Sequence, residues 1–155
     1  MTSVVLDTSV LVIANGRAEH VDVLGEQACI DALVAAQGLC ICLDSGERIL
    51  DEYERYCSRR GQPGVGDAFF RWLVDHQWRE ERCVRVAITP HAEREFAEFP
   101  ADPSLAQFDR SDRKFVAVAL ASRRQPTVQV GVDRGWARYA ATLADHGVQV
   151  QILCG

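Results

Sequence analysis

Acidic side chains stand at the ends of three short apolar segments of the 155-residue chain. Asp7 follows SVVL, Asp44 ends CICLD and Asp133 ends VQVGVD. Short apolar runs that are bounded by turn signals are typical of strands buried in a parallel sheet. Because parallel strands end at one edge, where α/β proteins bind their ligands, we expect these carboxylates to lie near a ligand site.

Glu52 is a further acid that helical geometry directs toward an apolar surface. It lies one turn from Ile49 and from Tyr56 in a helix predicted over residues 47–60, so it borders the apolar face of that helix. Glu54 borders the opposite edge of the same face. Helical geometry alone therefore does not choose between the two glutamates.

Asp112 lies in the first turn of a strongly predicted helix over residues 111–123, one turn before Phe115. It too borders a face that we expect to be buried, where a bare carboxylate is costly. Helix capping is the alternative interpretation, because Asp109 and Asp112 have the spacing of a cap and Ser111 is another cap candidate.

The acids as a set indicate one kind of chemistry. Carboxylates that converge at a sheet edge repel one another unless a cation is present. Ligands that are all oxygen suit Mg²⁺ or Mn²⁺, and such an ion activates water and stabilises charge on a phosphoryl group. The set therefore predicts metal-assisted phosphodiester hydrolysis. Asp44 fits less well, because the Ser45-Gly46 that follows it is typical of a turn.

Strand-like and helix-like patterns alternate along the chain and must position these acids. The predicted strands cover residues 3–6, 39–43, 84–88, 128–132 and 148–153. The predicted helices cover residues 20–37, 47–60, 67–78, 90–99, 111–123 and 136–146, with a breaker at 61–66. This order predicts an α/β fold in which helices cover both faces of a central parallel sheet, in a single domain over residues 1–155.

The net charge of −5, from 17 basic and 22 acidic residues, at first argues against a nucleic-acid partner. The charge is unevenly distributed, however. Residues 1–54 carry two basic and ten acidic side chains, whereas residues 110–138 carry seven basic and two acidic ones. Those two acids are Asp112 and Asp133, whose charge a bound divalent cation would offset. A phosphate substrate is therefore compatible with the composition.

The cysteines and the N-terminus indicate the expected compartment. None of the six cysteines has C-x-x-C spacing and several lie in apolar runs, so we expect small buried side chains in a reducing compartment. The N-terminus has no basic segment and Asp7 interrupts its apolar run, so neither a signal peptide nor a membrane span is predicted. We expect a cytoplasmic protein with no membrane partner.

Four segments resemble, in order, the motifs of the PIN domain, a metal-dependent nuclease fold. They are VVLDTSVLV, ILDEYERY, SDRKFVAVALA and VGVDRGWARYAATLADHGVQV, and they span nearly the whole chain. The resemblance implies that the catalytic residues and the ligands of Mg²⁺ or Mn²⁺ are Asp7, Glu52, Asp112 and Asp133. It also implies a three-layer α/β/α sandwich and endonucleolytic cleavage, usually of RNA.

The same resemblance implies partners and an alternative function. Many small bacterial members are toxins paired with an antitoxin, and others process RNA or act in defence. We therefore expect an RNA substrate, an antitoxin or other protein partner, and a homodimer. Gly131 and Gly135 flank the fourth acid where many members carry polar or acidic residues, which implies a thinner fourth site. The alternative is a catalytically weak PIN-like module that binds RNA or protein.

Neighbours of the acids have two interpretations each. Thr8 or Ser9 is expected either to contact phosphate or to cap the helix that follows. Arg113 and Arg134 flank two of the acids, so they are expected to contact phosphate or to form ion pairs. No lysine or histidine is placed as an obvious general base. Residues 61–99 are longer than in compact toxins and are interpreted as packing on the sheet, a dimer surface or a cover over a substrate groove.

Overall fold

Seven strands and six helices are formed by residues 2–132 and 134–155, the residues that this computed structural model describes. The strands are β1 (Ser3–Leu6), β2 (Cys40–Asp44), β3 (Cys83–Val86), β4 (Pro90–His91), β5 (Glu95–Phe96), β6 (Thr127–Val130) and β7 (Val150–Ile152). The helices are α1 (Thr8–Ala14), α2 (Val23–Ala36), α3 (Arg48–Tyr56), α4 (Val65–His76), α5 (Arg113–Ala121) and α6 (Arg134–Asp145), with 3-10 turns at Pro103–Leu105 and Arg110–Asp112.

The main sheet is parallel and has the strand order β3-β2-β1-β6-β7. Val4 of β1 pairs with Ile41 of β2 on one side and with Thr127 of β6 on the other. The chain runs outward from β1 to β3 and then crosses to β6, so the strand order reverses between β1 and β6. In open α/β sheets, ligands bind in the crevice outside the carboxyl ends of the strands at such a reversal.

Helices flank this sheet in a three-layer α/β/α sandwich, which confirms the predicted fold class. α5 packs on β1, β2 and β6, whereas α1 packs against α2, α4 and β6. Leu6, Leu43 and Val128 of the strands are fully buried, and they join Phe115 and Trp136 of the helices in one hydrophobic core. Burial on both faces explains why the sequences of β1 and β2 are nearly continuously apolar.

The helix predicted over residues 90–99 is wrong: this segment forms the antiparallel hairpin of β4 and β5. Arg110 donates hydrogen bonds to the backbone carbonyls of Ala92 (3.1 Å) and Glu93 (2.9 Å) and to the Glu95 side chain (3.0 Å). Glu95 has a φ of 74°, in the left-handed region that ends a helix. The side chain of Arg110, which is distant in sequence, therefore binds backbone carbonyls that a helix would use for its own hydrogen bonds.

The helix predicted over residues 47–60 is correct but ends earlier, at Tyr56. Cys57 adopts an extended backbone conformation with φ −127° and ψ 148°, which terminates α3. Tyr56 is 51% exposed and does not belong to the buried face that Ile49 and Tyr53 form. The apolar face of α3 is thus narrower than its sequence indicates.

A buried polar cluster joins the end of α1 to the start of α4. The Asp67 carboxylate accepts hydrogen bonds from the backbone N–H groups of Ser58 (2.8 Å) and Gly64 (3.0 Å) and from the Asn15 side chain (3.2 Å). Burial by itself raises the pKa of Asp67, but these hydrogen bonds and the nearby Arg17 charge outweigh it and hold the pKa below its ordinary value. The cluster fixes the segment between α3 and α4.

All six cysteines are free and buried, as the sequence predicts. Burial raises the pKa of Cys42 to about 11 and that of Cys83 to about 12, so both thiols stay protonated near neutral pH. Among the described residues, no helix is long and apolar enough to cross a membrane.

Candidate active site

A pocket of about 250 Å³ at the carboxyl end of β1 brings together three of the four predicted acids. It is lined by Asp7, Thr8, Ser9, Val12, Glu52, Tyr56, Ser111 and Asp112. The fourth predicted acid, Asp133, lies outside the described residues, two positions after Gly131. Because Asp7 directly follows β1, the pocket lies beside one of the two strands between which the strand order reverses.

Asp7 is fixed by the first turn of α1. It is 4% exposed and is the N-cap residue of that helix, with its Oδ2 accepting hydrogen bonds from the backbone N–H (3.0 Å) and the hydroxyl of Ser9. Ser9 Oγ in turn accepts a hydrogen bond from the Gly131 N–H at 2.9 Å. Ser9 therefore connects the Asp7 carboxylate to the loop after β6, and Asp7, not Thr8 or Ser9, caps the helix.

Gly131 allows the β6 loop to approach α1 closely. A Cβ atom at this position would lie 2.3 Å from Ile13 Cδ1 and 3.2 Å from Ser9 Oγ. A side chain here would require the buried Ile13 side chain or the loop itself to move. The glycine that the sequence presents as a departure from the PIN pattern thus has a packing function in this protein.

Glu52 projects from α3 into the pocket, which resolves the choice between the two glutamates. Its Oε2 accepts a hydrogen bond from the Thr8 hydroxyl, and its Oε1 accepts one from Lys114 Nζ at 2.7 Å. Glu54, on the other edge of the helix, pairs with Arg59 and does not line the pocket. Thr8 therefore orients an acid of the site through a contact that the sequence analysis did not predict.

Two contacts hold α3 against the end of the sheet. The Tyr53 hydroxyl donates a hydrogen bond to the Leu6 carbonyl, the last residue of β1. Burial, followed by the negative charges of Asp7 and Glu52, raises the pKa of Tyr53 well above its ordinary value, so the hydroxyl remains a donor. Asp44 is fully buried and accepts hydrogen bonds from backbone N–H groups at the start of α3, at 2.9 Å each, which confirms its structural interpretation.

Asp112 ends a 3-10 turn and immediately precedes α5. Its side chain makes no capping hydrogen bond to that helix. Asp109 caps the 3-10 turn before α5 instead, because its Oδ1 accepts hydrogen bonds from the Ser111 N–H (2.9 Å) and hydroxyl (2.8 Å). Phe115, one turn later, is fully buried, as predicted. Asp112 therefore enters the pocket at the edge of a buried helix face.

Lys114 is a site residue that the sequence analysis missed. Its amine contacts Glu52 Oε1 and also donates to the Ser111 carbonyl. The Lys114 and Glu52 side chains are only 11% and 17% exposed. The available signal was that Lys114 is the single lysine among 17 basic residues and stands two positions after Asp112. Its partner, Glu52, lies 62 residues earlier, so local sequence patterns could not predict the contact.

The functional interpretations of Arg113 are wrong. This arginine is 4% exposed, and its guanidinium donates hydrogen bonds to the carbonyls of Leu105, Ala106 and Phe108 while stacking on the Phe99 ring at 4.5 Å. Its guanidinium is used to stabilise the loop before α5. The equivalent prediction for the Arg134 side chain falls outside the described part of the chain.

The donor chemistry of the pocket fits the predicted ions, because Mg²⁺ and Mn²⁺ prefer oxygen ligands. Within residues 2–132 and 134–155, however, no group of three Asp, Glu, His or Cys side chains is arranged to hold a metal ion. Glu52 is engaged by an ammonium group at the position where a cation would be attracted. The metal therefore remains a proposal that rests on the carboxylate content of the pocket.

Comparisons with known proteins give no relative from which the site could be assigned. No family model matches the chain, and no curated protein or solved structure matches it.

Proposed function

We propose that this pocket is the active site of a PIN-like nuclease that hydrolyses phosphodiester bonds of RNA with Mg²⁺ or Mn²⁺. One observation carries the proposal: Asp7, Glu52 and Asp112, far apart in sequence, line a single pocket beside the strand-order reversal of a parallel sheet. Burying or crowding carboxylates is unfavourable without a compensating charge. Their convergence therefore favours a function that uses their negative charge.

Two acids of the proposed site, Asp7 and Glu52, are held in place by contacts from the chain. Asp7, Glu52, Asp112 and Asp133 would hold the cation, which when bound would activate water and stabilise the negative charge that develops on phosphorus. The Ser9 hydroxyl holds the Asp7 carboxylate in one orientation. The Thr8 hydroxyl does the same for Glu52. Such preorganisation is what an electrostatic active site requires.

The proposal is tested with purified protein and an end-labelled single-stranded RNA, in Mg²⁺, in Mn²⁺ and in EDTA. We expect cleavage only with a divalent cation. Asp7→Asn and Asp112→Asn should each lower the rate at least about 100-fold, because each removes a charge from the site. Glu54→Gln is the matched control for Glu52→Gln, since both lie on α3 and only Glu52 lines the pocket. Cleavage by both aspartate variants at the wild-type rate would show that the site is misassigned.

A catalytically weak binding module is the second candidate. The observation in its favour is the ion pair between Lys114 and Glu52, which neutralises one of the acids without a metal. Calorimetric titration with Mn²⁺ separates the two functions. Binding of RNA with no heat of Mn²⁺ binding and no cleavage would favour the module over the nuclease. An antitoxin or other protein partner, a homodimer, a role as a toxin or in defence, and a cytoplasmic location remain predictions from the sequence.

A further inference from the structure

A second pocket, of about 240 Å³, adjoins the candidate active site and shares Glu52 and Ser111 with it. Four cationic side chains line it, namely Arg48, Arg55, Arg110 and Lys114. We propose that this second pocket, the basic pocket, binds a phosphate of the same RNA strand next to the bond that is cut. This inference rests on the proposed function. It specifies where the RNA strand would continue beyond the acids of the active site.

The pocket cations are not equally available to a ligand. Arg110 is engaged by Glu95 and by the carbonyls of the β4–β5 hairpin, and Lys114 is engaged by Glu52. Arg48 is 3.6 Å from the buried Asp44 but keeps 39% of its side chain exposed. Arg55 is exposed, and no described residue forms an ion pair or hydrogen bond with its guanidinium. Arg55 is therefore the cation most available to a phosphate.

The geometry of α3 connects the two pockets. Arg48, Glu52 and Arg55 follow the i, i+4, i+7 spacing that places side chains on one helix face. With a rise of about 1.5 Å per residue, the two arginines are separated by about 10 Å along the helix axis, with Glu52 between them. An RNA strand held at Glu52 in the active site would therefore have an arginine side chain on either side of that position.

The chemistry of the basic pocket fits a phosphodiester better than a neutral ligand. Guanidinium groups bind phosphate oxygens through two parallel hydrogen bonds, and arginine forms these contacts with less desolvation than lysine. Three acids, Asp51, Glu52 and Glu95, also line the pocket, and two of them are already paired with Lys114 and Arg110. Asp51 alone opposes a phosphate, so removing its charge should improve binding while removing that of Arg55 should weaken it.

The test is fluorescence anisotropy of a labelled single-stranded RNA in EDTA, where no cleavage occurs, over a series of salt concentrations. Arg55→Gln should weaken binding about fivefold and reduce the slope of log K against log salt by about 0.7, the value for one phosphate contact on a single strand. Asp51→Asn should tighten binding. Arg123→Gln is the control, because Arg123 is an exposed arginine just after α5, at the opposite edge of the sheet.

Each outcome distinguishes this inference from the proposed function. Opposite effects of the Asp51 and Arg55 variants support the basic pocket even if the wild-type protein cuts no RNA, in which case the nuclease proposal alone fails. Equal affinities and salt slopes for Arg55→Gln, Arg123→Gln and wild type overturn the inference, even if Asp7→Asn abolishes cleavage. An Arg55-dependent heat of binding for inorganic phosphate with unchanged RNA affinity would also overturn it, because the pocket would then serve a free anion.

Discussion

Replacing Lys114 with methionine should destabilise the protein and at the same time tighten its binding of Mn²⁺. The Nζ atom of Lys114 lies 2.7 Å from Glu52 Oε1, so the ammonium group stands where a divalent cation would be attracted. Methionine keeps most of the length of the side chain and removes the charge. The substitution leaves Glu52 without its cationic partner, and a metal ion is the natural replacement.

The magnitude follows from the distance and the burial of the pair. Two unit charges 2.7 Å apart attract by about 6 kcal/mol at an effective dielectric constant of about 20, before the cost of desolvation is subtracted. Removing one partner of a fully buried pair costs about 3–5 kcal/mol, and exposed pairs contribute about 0–1 kcal/mol. Because these side chains are 11% and 17% exposed, we expect a loss of about 1–3 kcal/mol, or about 3–9 °C in Tm.

The assay is thermal and urea unfolding of wild type, Lys114→Met, Glu52→Gln and the double variant, each with and without Mn²⁺. The double variant should lose less stability than the sum of the single variants, because they remove the same interaction. Saturating Mn²⁺ should raise the Tm of Lys114→Met more than that of wild type, since tighter binding stabilises the folded state. Equal Mn²⁺ effects on the two proteins would refute the idea that Lys114 and the metal compete for Glu52.

Three further predictions concern the packing and the buried ionisable groups. Gly131→Ala should cost about 1–3 kcal/mol in urea unfolding, whereas Gly38→Ala, where the nearest atom is 3.5 Å away, should change stability by less than about 0.5 kcal/mol. Asp67→Asn should cost about 2–4 kcal/mol at pH 7. Because folding lowers the pKa of Asp67, its contribution to the free energy of unfolding is complete above its ordinary pKa of 3.8 and is lost as the pH falls further. Wild type and Asp67→Asn should therefore converge in stability in acid. A constant difference between them down to pH 2 would contradict this. The native thiols should react with a disulfide reagent only as fast as the protein unfolds, because they are buried and burial holds the pKa of Cys83 near 12; immediate reaction of several thiols would show that they are accessible.

The sheet was predictable because its signals are local. The central strands β1 and β2 are short apolar runs, and the position of Asp7 at the end of β1 places it at the carboxyl edge whatever the details of packing. Asp112 was likewise predictable from the apolar periodicity of α5. Helical geometry alone could not choose between Glu52 and Glu54, because both border the apolar face. The resemblance to the PIN motif chose Glu52, and in the structure the contacts with Thr8 and Lys114 distinguish it from Glu54.

The errors arise where distant residues override local preference. The 90–99 segment has a proline and a charged pattern that favour a helix, but Arg110 engages its carbonyls and fixes a hairpin. Arg113 stands beside a predicted ligand, yet its guanidinium turns inward to satisfy three carbonyls of the preceding loop. Periodicity reports which face of an element is buried, and it contains no information about a partner on another element.

The central position of β1 has a consequence for how the protein is synthesised and folds. β1 is completed on one side only when Val4 pairs with Thr127, 123 residues later. Closing so long a loop carries a large entropic cost that local structure cannot repay. A nascent chain can form α2, β2 and α3 early, but it cannot place Asp112 beside Asp7 until α5 has been made. The proposed nuclease activity would therefore appear late during synthesis, and chains interrupted before α5 would lack the complete proposed site.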